Sequence, residues 1–144
     1  MLRYVLDTDV MVAALRSNSG ASRQLLLSAL AKRYELLVSV PLFLEYEAVL
    51  TRPDQLTACG LSRQEAEGVL DDIAAVARPV RLAFRWRPTL LDQADDMVLE
   101  TAVNGGADAI VTFNLRHFEA VRESFHCSVV LPGRALQHLR RLDS

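Results

Sequence analysis

Hydrophobic residues along the chain fall into short apolar-rich runs, separated by stretches in which they recur every three or four positions. The runs are 2–6 (LRYVL), 34–39 (YELLVS), 108–113 (DAIVTF) and 127–132 (CSVVLP). They are bulky and β-prone without the strict alternation of a one-faced strand, which predicts strands buried on both faces. The helical pattern begins at Val10 and lasts to about Leu15, where RSNSGAS breaks it. Ser22 is placed to cap a second helix carrying Leu25, Leu26, Ala29 and Leu30. Pro41 stands in the first turn of a third helix reaching about Thr51, where a missing N–H costs little. TRPDQLTACGLS reads as a loop, after which Ser62 and Glu65 form a capping box for a helix through about Val76. ARPVRLAFRWRPTLLDQ is the least regular segment, with one weak or edge strand expected in it. Asp95 to Asn104 is helical and stops on Gly105 and Gly106. A short helix is expected near 115–123, and a closing helix from about Gly133 to Arg141.

Strands alternating with helices imply βα units and a parallel sheet covered on both faces, hence an α/β fold. The 144 residues suit a single domain, 1–144, without an internal linker or repeat. In such sheets ligands sit beyond the carboxyl ends of the strands. That rule gathers Asp7, Asp9 and the TFN of 112–114 onto one rim.

Composition narrows the chemistry. A hydrophobic content of 51% supports a proper core, and sixteen Lys and Arg against eighteen Asp and Glu give a net charge of -2. Any basic surface for nucleic acid must therefore be local. Lys32 is the sole lysine, so almost every cation is an arginine, the side chain suited to bidentate contacts with phosphate or carboxylate. Cys59 and Cys127 have neither CxxC spacing nor a histidine at ligand spacing, which argues against a zinc site or disulfide framework. No apolar run approaches the roughly 18 residues that span a bilayer, and Arg3 and Asp7 interrupt the start where a signal peptide needs its apolar centre. The expectation is a cytoplasmic protein with no membrane segment.

The carboxylates are placed oddly for a structural role. In YVLDTDVMVAAL an apolar strand runs straight into Asp7 and Asp9. A carboxylate at the edge of a core must be paired, hydrogen-bonded or bound to a cation. If the chain stays extended there, the i, i+2 pair points to one side and makes chemical sense around a cation. Alternatively, Asp9 caps the helix that starts at Val10. In VPLFLEYEAVL, Glu45 shares a face with Leu42 and Val49, and Glu47 shares one with Phe43 and Leu50, so periodicity does not choose between them. Asp96 precedes Leu99 by three and Val103 by seven, at the top of its helix's inward stripe. Asp92 and Asp95 suit capping, and Asp108 a turn at the opposite end of the sheet. Four acids from separate segments meeting on one rim would make an oxygen-only site for Mg²⁺ or Mn²⁺, able to activate water against a phosphodiester. His117, His126 and His138 are scattered, and no covalent nucleophile stands beside a base.

These segments together resemble the PIN-domain nucleases, particularly the VapC-like toxins of toxin–antitoxin pairs. LDTDVMVAAL is similar to the family's opening strand with its first acid at Asp7, and PLFLEYEAVL to the helix bearing the second at Glu45. ADDMVLETAVNGGADAIVTFNLRHF resembles the third-acid helix with Asp96, the glycine pair, a strand and a Thr-containing loop. The resemblance implies a PIN-like three-layer α/β/α sandwich around a parallel sheet of four to five strands. It further implies an Mg²⁺- or Mn²⁺-dependent endoribonuclease, with Asp7, Glu45 and Asp96 as catalytic, metal-binding acids. An RNA substrate, a cognate antitoxin and a homodimer are the partners implied. Toxin-type relatives often carry Asp where Asn114 stands, and many carry Asn where Asp9 stands. The resemblance implies that Asp9 is either a supplementary metal ligand or a simple variation; with Asn114 as a further ligand, Asp9 would supply the charge that Asn114 lacks.

RPVRLAFRWRP sets Arg85 and Arg87 beside Phe84 and Trp86, a pattern suited to single-stranded RNA but equally to a solvated edge or a protein contact. Arg116, just past the acid rim, is the better single phosphate ligand. Two other functions start from the same residues. A strand followed by DxDxV is also similar to the haloacid-dehalogenase phosphatases, but those need a Lys and an acidic pair after the strand-terminal Thr. Here Lys32 and Asp95–Asp96 precede Thr112. The second is a non-catalytic PIN-like scaffold that binds RNA or a protein partner.

Overall fold

The structure is a computed structural model that describes residues 1–83, 93–119 and 127–143. Arg85, Arg87, Phe84, Trp86, Asp92 and His126 lie outside the described residues, as does the latter part of the helix expected over 115–123.

Five strands form the sheet: β1 (Arg3–Leu6), β2 (Glu35–Val38), β3 (Arg78–Pro79), β4 (Ala109–Val111) and β5 (Ser128–Val130). Their order is β3-β2-β1-β4-β5 and every pairing is parallel, with Tyr4 opposite both Leu36 and Ala109. Parallel neighbours require crossovers, which the helices supply. Two of them, α1 (Thr8–Arg16) and α2 (Ala21–Leu30), join β1 to β2, and α3 (Val40–Leu50), α4 (Pro53–Cys59) and α5 (Arg63–Val76) join β2 to β3. The return to β4 uses α6 (Gln93–Gly105), and α7 (Pro132–Asp143) closes the chain. The helices also pack on each other in series, α7 on α2, α2 on α1, α1 on α3 and α3 on α6. This is a three-layer α/β/α sandwich, as expected.

Val5, Leu6, Leu37, Ile110 and Val111 are fully enclosed, which is why their strands carry no polar alternation. Each such side chain stabilises the fold by about 1.5–3 kcal/mol relative to exposure. At the amino end of the sheet the backbone N–H of Arg3 donates to Asp108 Oδ2 at 2.8 Å, and the Glu35 carboxylate accepts from Arg3 Nε at 2.9 Å and Arg78 Nη1 at 2.8 Å. Asp108 therefore has a structural role at the end opposite Asp7.

Local signals place several elements well. Ser62 and Glu65 form the reciprocal capping box of α5, Ser39 caps α3 with Pro41 in its first turn, and Gly106 follows α6 at φ +64°. Five expectations need correction. α1 starts at Thr8 and not Val10, because Asp7 takes the capping position: its Oδ1 accepts from Thr8 N at 2.8 Å and its carbonyl from Val10 N at 3.0 Å. Asp9 is therefore neither the cap nor part of an extended pair, but sits in the first helical turn. Gly20, not Ser22, precedes α2; the Gly20 N–H donates to Ser17 Oγ at 3.0 Å, which tightens the loop, and Ser22 is buried within the helix. The expected loop after Thr51 contains α4, begun by Pro53 at its first turn and ended by Gly60 at φ +69°. The described part of the 115–123 segment is one 3-10 turn, Leu115–Phe118.

Candidate functional site

In a parallel sheet every strand ends on the same side, so the segments following β1, β2 and β4 and the start of the returning helix α6 share one rim. Asp7 and Asp9 follow β1, Glu45 lies in the second turn of α3, Asp96 opens α6, and Thr112 to Asn114 follow β4.

Asp7 is 5% exposed and held at both oxygens. Oδ1 accepts from Thr8 N, and Oδ2 accepts from the Thr112 hydroxyl at 2.7 Å. That hydroxyl in turn accepts from Asn114 N at 3.0 Å, so Thr112 couples Asp7 to the loop after β4. The Asp7 backbone N–H donates to Val111 O at 2.9 Å, continuing the β1–β4 ladder to the residue that leaves the sheet. Asp9 Oδ2 accepts from Phe113 N at 3.1 Å and from Asn114 Nδ2 at 3.0 Å. The structure thus ties Asp7, Asp9, Thr112, Phe113 and Asn114 into one hydrogen-bonded group. Because the Asn114 amide nitrogen is used on Asp9, its oxygen is the end left to meet a cation.

The helix α3 is anchored to the same place. The Tyr46 hydroxyl donates to the carbonyl of Leu6, the residue before Asp7. Burial, and then the negative charge of Asp7, push the Tyr46 phenol well above its ordinary value, which keeps it a proton donor. Its neighbour Glu45 is half-buried while Glu47 is exposed, which settles a choice that periodicity leaves open. The Ser39 and Thr101 hydroxyls meet at 2.7 Å and bind the start of α3 to the middle of α6. Asp96 is half-buried, and its Oδ1 is enclosed without a hydrogen-bond partner among the described residues. Glu100, one turn on, is 4% exposed. Its i+4 spacing from Asp96 was the signal that could have found it.

An oxygen-only donor set in which a carboxylate oxygen is enclosed yet unbonded fits a hard divalent cation better than it fits a structural role. The acids do not, however, close into one coordination shell: among the described residues no three of His, Cys, Asp or Glu stand together closely enough to hold a metal ion. Arg116 is exposed on the 3-10 turn beyond Asn114. Arg78 is engaged with Glu35 at the far end of the sheet. No helix among the described residues is long and apolar enough to cross a membrane.

A family model of the PIN domain matches residues 3–116, from β1 through the first two residues of the 3-10 turn. A search of curated proteins found no match.

Proposed function

From the premise that the chain belongs to the PIN-domain family, whose members are generally nucleases and typically bind divalent metals, we propose that it is a metal-dependent endoribonuclease. The observation that carries this reading is the enclosed, unbonded Oδ1 of Asp96 on the rim that also bears Asp7 and Glu45. Asp7, Glu45 and Asp96 would hold Mg²⁺ or Mn²⁺, with Asp9 and Asn114 as supplementary ligands. The ion would supply charge neutralisation at a scissile phosphate and a more acidic water.

The chain's own groups provide positioning. Thr8 N and the Thr112 hydroxyl fix both oxygens of Asp7, so its carboxylate does not reorganise when a phosphodiester arrives. Asp9 brings a full negative charge to within 3.0 Å of the Asn114 side chain, the place where an Asp is replaced by a neutral amide. Arg116 extends from the turn beyond the rim and suits a phosphate of bound RNA. Hydrolysis that leaves a 5′-phosphate and a 3′-hydroxyl breaks the P–O3′ bond as the water oxygen adds in line. The biological role that suits this activity is the toxin of a toxin–antitoxin pair, acting as a homodimer.

The test is cleavage of labelled single-stranded RNA by metal-stripped protein with Mg²⁺ or Mn²⁺ restored, beside Asp7→Asn and Asp96→Asn. Metal-dependent cleavage that both substitutions abolish is expected; cleavage that survives chelation, or survives in Asp96→Asn, overturns the assignment. Asp9→Asn combined with Asn114→Asp should retain activity if one carboxylate at either position suffices. The dispersed acids favour a second reading, a PIN-like scaffold that binds RNA or a protein without cutting. Calorimetric titration with Mn²⁺ separates the two, since a non-catalytic scaffold has no need of the ion.

A further inference from the structure

A groove of about 620 Å³ opens directly beside the acid rim, and the two share parts. Asp9 and Ala13 share one face of α1 at four-residue spacing, and Ser17 caps its end; the first belongs to the rim and the other two line the groove. Phe113 belongs to both, its N–H donating to Asp9 Oδ2 while the residue also lines the groove. Phe113 is 49% exposed, although the flanking Thr112 is fully enclosed. The rest of the lining includes Leu131, 44% exposed just before α7, and the start of α7, where Arg134 and Gln137 provide polar groups. Among the described residues no acid lines the groove, in contrast to the adjoining rim.

We propose that this groove seats a nucleobase of the RNA substrate, one nucleotide removed from the phosphate at the acid rim, with the base stacked on Phe113. The identity of the ligand rests on the ribonuclease reading above. Three observations carry the choice. The volume lies in the range of small-molecule sites and accommodates a base with its ribose. An exposed aromatic face beside an aliphatic wall, with a few hydrogen-bonding groups at the margin, is how single-stranded RNA is read. Among the described residues of the lining, Arg134 carries a formal charge of the sign that a flanking phosphate requires. The consequence is sequence preference at one nucleotide next to the cut, set by Phe113 and the margin residues rather than by the carboxylates.

The experiment is a titration of isotope-labelled full-length protein with each of the four nucleoside 5′-monophosphates, followed by amide shifts. It is run on wild type, Phe113→Ala, the groove-filling Ala21→Phe, and the distant Glu67→Gln. Saturable shifts around Ala13, Phe113 and Gly133 with at least one nucleotide are expected. Phe113→Ala should weaken that binding roughly 5-fold or more, the lower bound for a base–aromatic stack. Ala21→Phe should block it, and Glu67→Gln, exposed on α5, should bind as wild type does. Binding unchanged in Phe113→Ala and Ala21→Phe overturns the proposal, and so does no binding at millimolar nucleotide, which leaves the groove to a protein partner. The two readings fail separately: cleavage with no Phe113-dependent binding removes only the base seat, while Phe113-dependent binding without cleavage removes only the nuclease.

Discussion

Replacing Thr112 by valine keeps the shape of a fully enclosed side chain and deletes one hydroxyl. That hydroxyl donates to Asp7 Oδ2 at 2.7 Å and accepts from Asn114 N at 3.0 Å. A hydrogen bond to a charged group contributes about 1.5–3 kcal/mol, and removing its donor leaves a buried carboxylate oxygen less satisfied. Asn114 is exposed, so its N–H turns to water and adds little. The expected loss is about 2–3 kcal/mol. With a urea slope of about 2 kcal/mol/M, the unfolding midpoint should fall by about 1–1.5 M at unchanged slope. Thr112→Ser is the control: it keeps the hydroxyl, drops one methyl, and should cost only about 1 kcal/mol. A Thr112→Val midpoint close to wild type, or a Thr112→Ser midpoint as low as that of Thr112→Val, would refute the claim that Thr112 holds the Asp7 carboxylate.

Three further outcomes follow from the same geometry. Gly106 is at φ +64° just after α6, so Gly106→Ala should lower stability by about 1–2 kcal/mol in chemical denaturation although nothing is crowded. Burial acts to raise the Glu35 carboxyl, but hydrogen bonds and charge from Arg78 and Arg3 outweigh it and hold the group below the ordinary carboxylate range. Its contribution is thus present above the unfolded carboxylate value and lost as pH falls through the folded one; melting temperatures of Glu35→Gln between pH 3 and 6 (roughly the carboxylate window) should fall less steeply with acid than those of wild type. Cys127 is buried and its thiol is pushed up to about 11, so a thiol reagent near neutral pH should label half-buried Cys59 in the native protein and Cys127 only after denaturation.

What the sequence by itself determined is local or depends on apolar-rich runs. The capping box at Ser62 and Glu65, Pro41 at the start of α3 and the glycine stop after α6 involve residues within a few positions of each other, and the four buried runs leave strands as their simplest fit. Even the shared rim was legible, because parallel order alone puts the ends of β1 and β4 side by side. What only the tertiary structure decided is which member of each ambiguous pair faces inward. α3 is apolar nearly all round, so its own periodicity has no direction; its packing against α1, α5 and α6 leaves Glu45 half-buried and Glu47 exposed. Asp7 and Asp9 are equivalent as capping residues on paper, and the ladder bond from Asp7 N to Val111 O chooses the first by holding it at the sheet edge. The groove beside Phe113 was legible in no segment, since its walls come from α1, the loop after β4 and α7. Caps and turns are set by neighbours in the chain, whereas burial and cavities are set by whichever distant element packs alongside.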